Sequence, residues 1–359
     1  MKFSSFTFYL TEKCNFRCSY CFQSRGSEIL NLSAAQKAVG FFLPVFEQNC
    51  FINFTGGEPL LVFDFLKKIV SDIQVMNSKS RRKIRFTMTT NGSLIDENIL
   101  DFLREHKFHV ILSFDGVAQE ISRKKNSFSE IKSKAEKILK SPEITLETNS
   151  VFTPQTVKYL SESMELIADM SIPTCKFALS QIYPWNVSSL SLLTEELAKL
   201  RAYAVSVYKR DRSIPVSLFR DKLDRGLFYC AAGENRMSLA PDGKLWGCYL
   251  FTVFFKERQG TADFEKYCFG DLDYFIRNHD QIYQKRMVNY SDLRMNKFYT
   301  AENACILCPD LYVCWACPVD AAFASSTLRE IPLWTCQIKK IFREQKKRFW
   351  EEVESLANS

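Results

Sequence analysis

The sequence predicts an α/β chain: a partial (β/α)6 barrel of the TIM type, then a cysteine-rich segment, then a terminal helix. From the start to about residue 210, short β-branched or aromatic runs alternate with longer helical patterns, the rhythm of repeated βαβ units. Beyond that point cysteines crowd together, turn residues multiply and the alternation stops. A helical pattern returns from about Gln337 to Leu356. A chain of 359 residues is too long for one small core and fits a large α/β unit joined to a smaller module.

Six strands are predicted, at Phe3 to Leu10, Phe51 to Phe54, Ile84 to Thr89, His109 to Ser113, Ile144 to Ser150 and Thr174 to Ser180, each followed by a helix-like segment. Six βα units leave a barrel incomplete. Helix starts are expected at Ser33 with Gln36, at Ser127 with Glu130, and at Thr153 followed by Pro154, which match capping boxes or an N-cap with proline at the first helical position. After Glu130 the apolar Ile131, Ala135, Ile138 and Leu139 recur at helical spacing, and Leu197, Leu200, Ala204 and Val207 do so after Thr194. These stripes are packing faces. The expected organisation is a barrel over 1–210, a cysteine-rich domain over 211–340 and the end of the terminal helix over 341–359, with the boundary near Asp211 to Pro215.

Composition narrows the class. Hydrophobic content of 46% with 25% charged residues describes a soluble globular chain. Nowhere do eighteen uninterrupted apolar residues occur, which argues against a membrane helix. The opening Met1 to Leu10 alternates like a strand and runs into cysteines rather than a small-residue cleavage site, so export is not indicated and a cytoplasmic location is expected. In such a chain thirteen cysteines point to metal rather than to disulfides.

Cys14, Cys18 and Cys21 form C-x3-C-x2-C directly after the first strand. That spacing lets one short loop bind three irons of an iron–sulfur cube and leaves the fourth iron open to a ligand. Zinc normally takes four ligands from two separated knuckles, and no histidine lies nearby. Phe54-Thr-Gly-Gly-Glu-Pro59 ends the second strand; its paired glycines allow close backbone approach to a ligand, and Glu58 can accept hydrogen bonds from an ammonium group. Thr89-Thr-Asn-Gly92 closes the third strand, Ser113-Phe-Asp-Gly116 the fourth, and Asn149 stands at the end of the fifth. Each tetrad alone is turn chemistry. Their recurrence at successive strand ends describes one polar rim, where a parallel βα array binds its ligands.

On these motifs residues 3 to 180 resemble the radical S-adenosylmethionine superfamily. The resemblance implies a [4Fe–4S] cluster on Cys14, Cys18 and Cys21 whose open iron chelates S-adenosylmethionine. Gly56, Gly57, Glu58 and Pro59 would meet its amino group, Tyr20 and Phe22 would pack near adenine, and Thr90, Asn91, Ser113, Asp115 and Asn149 would line the rim. It also implies reductive cleavage to a 5′-deoxyadenosyl radical that abstracts a substrate hydrogen, with the protein positioning the cofactor and excluding water.

The second half carries Cys230, Gly243 and Cys248 as C-x12-G-x4-C, with Pro241-Asp-Gly243 marking a hairpin, then Cys305, Cys308, Cys314 and Cys317 as C-x2-C-x5-C-x2-C, and Cys336 downstream. A zinc ribbon would separate its knuckles by about fifteen residues; here five intervene. The arrangement is similar to the SPASM extension of radical S-adenosylmethionine enzymes, although it has C-x2-C where that pattern has C-x3-C. By resemblance, Cys305, Cys308, Cys314 and Cys336 complete one auxiliary [4Fe–4S] cluster and Cys230, Cys248 and Cys317 hold another. Cys268 completes this inner set, or its fourth position stays open or takes a non-cysteine ligand. Cys50 and Cys175 read as buried small apolar residues.

SPASM proteins act mainly on peptides and proteins, so the resemblance implies a peptide or small-protein substrate, modified by crosslinking, thioether formation, epimerisation or oxidation. The alternatives are radical dehydrogenation of a small molecule such as an alcohol or amino sugar, and a non-catalytic electron carrier, for which an open iron has no use. The first strand begins at once, so recognition is expected at the barrel mouth or through a separate leader-peptide-binding protein. In sulfatase-maturing relatives an acidic residue after the hairpin cysteine serves as base; here Tyr249 stands there, which lowers that reading and makes Tyr249 a candidate proton or electron relay. Asp115 is a second catalytic candidate, and Glu147 another polar group near the mouth. An external one-electron reductant of flavodoxin or ferredoxin type is implied. The net charge of +7 is no sign of nucleic acid, because ten thiolates against three cubane cores remove about four units. The runs Arg81 to Lys83, Arg123 to Lys125 and Lys339 to Arg348 read as solvated surface.

Overall fold

The computed structural model describes residues 2–23, 25–222 and 225–357. Six parallel strands follow the predicted order: β1 (Phe3–Tyr9), β2 (Phe46–Thr55), β3 (Lys83–Thr90), β4 (His109–Leu112), β5 (Thr145–Phe152) and β6 (Thr174–Leu179). Between and after them run α1 (Leu32–Phe42), α2 (Phe63–Ser80), α3 (Glu97–Glu105), α4 (Gln119–Ser122), α5 (Phe128–Leu139), α6 (Leu160–Asp169) and α7 (Val187–Asp211). The second half adds β7 (Arg236–Leu239), β8 (Lys244–Trp246), α8 (Tyr249–Phe255), α9 (Ala262–Tyr267), β9 (Gly270–Asp271), α10 (Leu272–Ser291), α11 (Pro318–Ser325) and α12 (Leu333–Ala357).

All nine strands belong to one sheet, ordered β6-β5-β4-β3-β2-β1-β7-β8-β9. The cysteine-rich half therefore continues the barrel's own sheet: β7 lies parallel to β1, pairing Ser5 with Arg236 and Phe8 with Leu239, and β8 turns back antiparallel to it. The predicted hairpin at Pro241 to Gly243 makes that turn, where Gly243 takes φ +81, a left-handed value that favours glycine. At the far end α12 returns to the barrel wall, with Phe349 stacked on Phe219 at 4.9 Å and Arg201 3.0 Å from Glu352.

Alternation along β1 separates two environments. Phe6 and Phe8 enter an aromatic core in which Phe6 lies 4.7 Å from Phe42 and Phe54 lies 6.1 Å from Phe108. Ser5, Thr7 and Tyr9 face the other way, where the Asn53 amide donates to the hydroxyls of Ser5 and Thr7. Cys50 and Cys175 are buried in the core.

Three helix starts differ from expectation. Asn31, not Ser33, caps α1, accepting from the amides of Ser33 and Ala34. Ser127 precedes α5 as predicted, but its hydroxyl donates to the Lys124 carbonyl and forms no capping box. Thr153 and Pro154 open a turn in which the Thr153 carbonyl accepts from the amides of Thr156 and Val157, a 3-10 turn over Val157–Tyr159 follows, and α6 proper begins at Leu160. Among the described residues no helix is long and apolar enough to cross a membrane.

Candidate active site and cysteine centres

β1 delivers the chain to the rim, and Cys14, Cys18 and Cys21 follow in a loop with little regular structure. Cys14 and Cys21 are exposed, Cys18 is half-buried, and none is in a disulfide. Burial pushes the Cys18 thiol up to about 11, opposed by the charge of Arg123 and reinforced by Asp115, Cys21 and Cys14. Burial likewise raises Cys14, although the Phe16 amide N–H, donated to its sulfur at 3.4 Å, works the other way. The three thiols thus lie within electrostatic reach of one another. Among the described residues no three His, Cys, Asp or Glu side chains converge tightly enough for a single metal ion. A four-iron cube, which binds one thiolate per iron, holds its sulfurs farther apart, and this donor set fits it.

The Gly-Gly-Glu-Pro segment supports that loop from beneath. Gly57 N–H donates to the Thr11 carbonyl at 2.7 Å and Glu58 N–H to the Lys13 carbonyl at 2.8 Å. A Cβ at Gly56 would stand 2.5 Å from the Thr11 oxygen and one at Gly57 2.3 Å from the Lys13 oxygen. Here the glycines allow the cysteine loop itself to approach, a reason the motif alone does not reveal. Pro59 begins a buried 3-10 turn.

Glu58 does not face the rim as expected. It is fully buried, accepting from Thr90 Oγ1 at 2.7 Å and Leu60 N at 3.1 Å on one oxygen and from Asn91 N at 2.7 Å on the other. Burial pushes its carboxyl up to about 7 against those three donors. Asn91 reaches Asn15 at 2.8 Å and lies 4.0 Å from the Cys14 sulfur, so β2, β3 and the cysteine loop are tied through Glu58.

Asp115 departs further from its expected role. It is fully buried, accepting from Tyr20 Oη at 2.8 Å, Arg123 Nη2 at 2.8 Å and Val151 N at 2.9 Å. A carboxylate so occupied is a strut, not a free acid or base. Tyr20 is its partner and is itself buried, with Arg123 over its ring at 5.3 Å. Arg123 itself corrects the reading of its run as solvated surface: it is 8% exposed and pairs with Asp115. Phe22 leans across to α11, its ring 5.0 Å from Phe323.

Ser113 is half-buried just after β4, whereas Asn149, expected at the end of the fifth strand, is half-buried within β5, which runs on to Phe152. Glu147 is bound within the sheet: Lys176 Nζ is 2.7 Å and His109 Nε2 3.6 Å from its oxygens. Burial acts to raise its pKa, but these two neighbours outweigh it and hold the carboxyl below its usual range. The signal missed in the sequence is Tyr9, the last residue of β1: it is 2% exposed and its hydroxyl has no hydrogen-bond partner among the described residues. Burial raises its pKa, with Glu12, Cys21, Cys14 and Tyr249 adding to the shift. Tyr249 is raised by burial and then by Cys248, Asp320 and Cys317. Tyr9 thus lies within electrostatic reach of the first cysteine loop, and Tyr249 within reach of Cys248 and Cys317.

In that half, Cys305, Cys308, Cys314 and Cys336 line one largely apolar cavity with Met295, Leu311, Ala316 and Ile331. Asp310, Lys339, Lys340 and Arg343 also line it, with Arg343 paired to Asp310 at 2.6 Å; Lys340 is exposed, whereas Lys339 and Arg343 are half-buried, so the run from Lys339 to Arg348 is not all solvated surface. Burial pushes Cys305 up to about 12 and Cys336 up to about 11, with the neighbouring thiols of the same four adding to each shift. Cys230, Cys248 and Cys317 form a second group: burial pushes Cys317 up to about 12, and Asp320, Cys248 and Cys230 raise it further. Cys268 does not join them. It is buried between β8 and β9, where its sulfur accepts from Gly270 N at 3.3 Å and lies 3.9 Å from the Leu245 carbonyl.

Residues 8–167 match the model of the Radical SAM superfamily. The chain is 24% identical over 302 residues to the radical SAM cyclopropyl synthase TigE of Paramaledivibacter caminithermalis, covering 72% of this chain and 60% of that one. To the cysteine-type anaerobic sulfatase-maturating enzyme of Clostridium novyi it is 31% identical over 137 residues, covering 34% of this chain and 36% of the relative. These matches span less than two thirds of both relatives. The fold is similar to native anSMEcpe solved with bound AdoMet and Kp18Cys peptide, with TM-score 0.76 and 20% identity over 100% of both chains.

Proposed function

Because residues 8–167 match the model of the Radical SAM superfamily, we propose that it is a radical enzyme that removes a hydrogen atom from a peptide or protein and so installs a post-translational modification. When bound to Cys14, Cys18 and Cys21, a reduced [4Fe–4S] cluster with S-adenosylmethionine supplies the 5′-deoxyadenosyl radical for that step. The observation that carries the reading is the presence of three separate thiol groups, the first in the loop after β1 and two in the half whose strands extend the same sheet.

The residues of the chain have defined tasks in it. The Glu58 and Asp115 networks hold the cysteine loop before any ligand arrives, so little ordering remains when one binds. Arg123, the buried cation nearest Cys18, favours its thiolate form. Cys305, Cys308, Cys314 and Cys336 would hold an outer auxiliary cluster, with Lys339, Lys340 and Arg343 compensating its thiolates; Cys230, Cys248 and Cys317 would hold an inner one. Tyr9 and Tyr249 would flank the substrate between the first loop and the inner set. A soluble one-electron carrier would supply the reductant, in the cytoplasm.

Sulfatase-type maturation of a cysteine is not the favoured outcome, since Tyr249 stands where those relatives have a carboxylate. Anaerobic reconstitution tests the proposal: about twelve irons per chain are expected if three cubanes form, with 5′-deoxyadenosine released on adding reductant and S-adenosylmethionine. Tightly held zinc with no 5′-deoxyadenosine would overturn it. Mass spectrometry of candidate peptides co-expressed with the enzyme then identifies the bond made.

A further inference from the structure

The loop that carries Cys14, Cys18 and Cys21 is closed at its neck by a short antiparallel pairing. Thr11 bridges Ile29, Glu12 N–H donates to the Glu28 carbonyl at 2.9 Å, and Leu30 N–H donates to the Leu10 carbonyl at 2.8 Å. A side chain of the second half lies across that neck. Lys256 Nζ is 2.5 Å from Glu12 Oε1 and 2.9 Å from Glu28 Oε2, one carboxylate on each side of the pairing. Glu12 is 5% exposed, and a Cβ at Gly26 would collide with its carboxylate, so the loop folds back closely over the pair. Its Oε2 has no hydrogen-bond partner among the described residues, which leaves Lys256 to compensate a carboxylate removed from water.

Lys256 stands at the C-terminal end of α8, and the N-cap of α8 is Cys248. A second bridge runs beside the first. The N-cap of α11 is Cys317, and near the other end of that helix the Phe323 ring lies 5.0 Å from Phe22, which follows Cys21, and 5.7 Å from Phe254 of α8. Two helices therefore start at inner cysteines and finish on the first cysteine loop. With seven residues α8 is about 10 Å long, so the connection is short.

We infer that Lys256 is a positioning residue for the first cysteine loop: it locks the neck from the second half, so that order at the inner cysteines is passed to Cys14, Cys18 and Cys21. The Glu58 and Asp115 networks hold the body of the loop, and Lys256 holds its two ends together. The lock itself needs no metal; its link to the inner group rests on the proposed iron–sulfur chemistry.

The metal-free full-length chain gives the first readout. Amide hydrogen exchange over 12–23 should speed several-fold in Lys256→Met and return to the parental rate in Lys256→Arg. It should stay fast in Lys256→Met combined with Glu12→Gln, a pair that removes the unpaired buried charge and recovers the urea midpoint. After anaerobic reconstitution, the S-adenosylmethionine concentration that half-saturates 5′-deoxyadenosine release should rise about tenfold in Lys256→Met if the loop is competent about a tenth of the time, with the saturated rate little changed and arginine restoring the parental value. Cys248→Ala should speed exchange over 12–23 in the reconstituted parent and add nothing in Lys256→Met. Unchanged exchange and half-saturation in Lys256→Met would overturn the positioning role, and an additive effect of Cys248→Ala would overturn the link to the inner group. A parent that releases no 5′-deoxyadenosine would overturn the proposed function instead, and the metal-free exchange would then decide the role of Lys256 alone.

Discussion

Around Cys14, Cys18 and Cys21 the chain builds a buried side-chain scaffold; the outer cysteines of the second half are held by a few backbone bonds, such as Cys305 N–H to the Phe298 carbonyl at 2.9 Å. The first loop is pinned by backbone bonds from Gly57 and Glu58, by the buried Asp115–Arg123 pair and by the Asn15–Asn91 contact, each reaching it from a different strand or helix. Cys305 and Cys308 stand on a three-residue turn that buries none of its own residues, and Cys314 follows another such turn. Their neighbours are a largely apolar cavity, the Arg343–Asp310 pair and two lysines. A loop that must present an open corner to a cofactor is preorganised by protein, whereas a group that holds its cluster from all sides can leave its organisation to the cluster.

Removing the metal gives the largest separation of the two regions. Chelation of the reconstituted protein should cost the second half several kcal/mol and admit protease within 211–340, while 1–210 stays resistant and keeps its circular dichroism. Equal cleavage of both halves would erase the contrast. Next in size is Arg123→Met, which leaves Asp115 buried and unpaired; urea unfolding should show a loss of about 3–5 kcal/mol. Iron bound by the first loop should fall while iron bound by the second half is retained.

The pH dependence of the metal-free protein sharpens the comparison. Thiols that ionise near 9.0 in an unfolded chain are pushed by burial to about 11 in Cys230 and about 12 in Cys305 and Cys317. Between those values the folded chain holds protons that the unfolded chain has released. Stability is therefore complete below pH 9 and falls as pH rises through the folded values. The urea midpoint should drop over that window, and substituting alanine for the cysteines of the second half should flatten the drop more than substituting Cys14 and Cys21, which are exposed.

Smaller effects test the scaffold itself. Asn91→Ala removes one bond to the cysteine loop and should cost about 1 kcal/mol with faster loss of iron from that loop. Tyr9→Phe deletes a buried hydroxyl that has no hydrogen-bond partner among the described residues, so thermal stability should stay within about 1 kcal/mol of the parent or rise. A large destabilisation by Tyr9→Phe would mean that the hydroxyl is already bonded in the resting protein.

Much of this was legible because it is local. Strand periodicity placed all six barrel strands, and β4 at His109–Leu112 or β6 at Thr174–Leu179 differ from the reading by one residue at an end. The roles of Glu58 and Asp115 were not legible. A carboxylate after a strand reads as a ligand contact, and its partners lie as far off as Tyr20 is from Asp115, 95 positions along the chain. Arg123 was hidden in a basic run, where nothing marks the one residue that folds inward.

By itself the sequence determined the βα rhythm, the spacing of the cysteines and the hairpin at Pro241 to Gly243, since each depends on neighbours within a few residues. Only the tertiary structure decided that β7 extends the sheet beside β1, that Cys336 lines one cavity with Cys305, Cys308 and Cys314 while Cys268 stays apart, and that Tyr9 is buried within electrostatic reach of Cys14 and Cys21. These pairings join segments far apart in the chain, and what selects them is the burial of shared apolar surface and of charges that need partners, which no local window of residues contains.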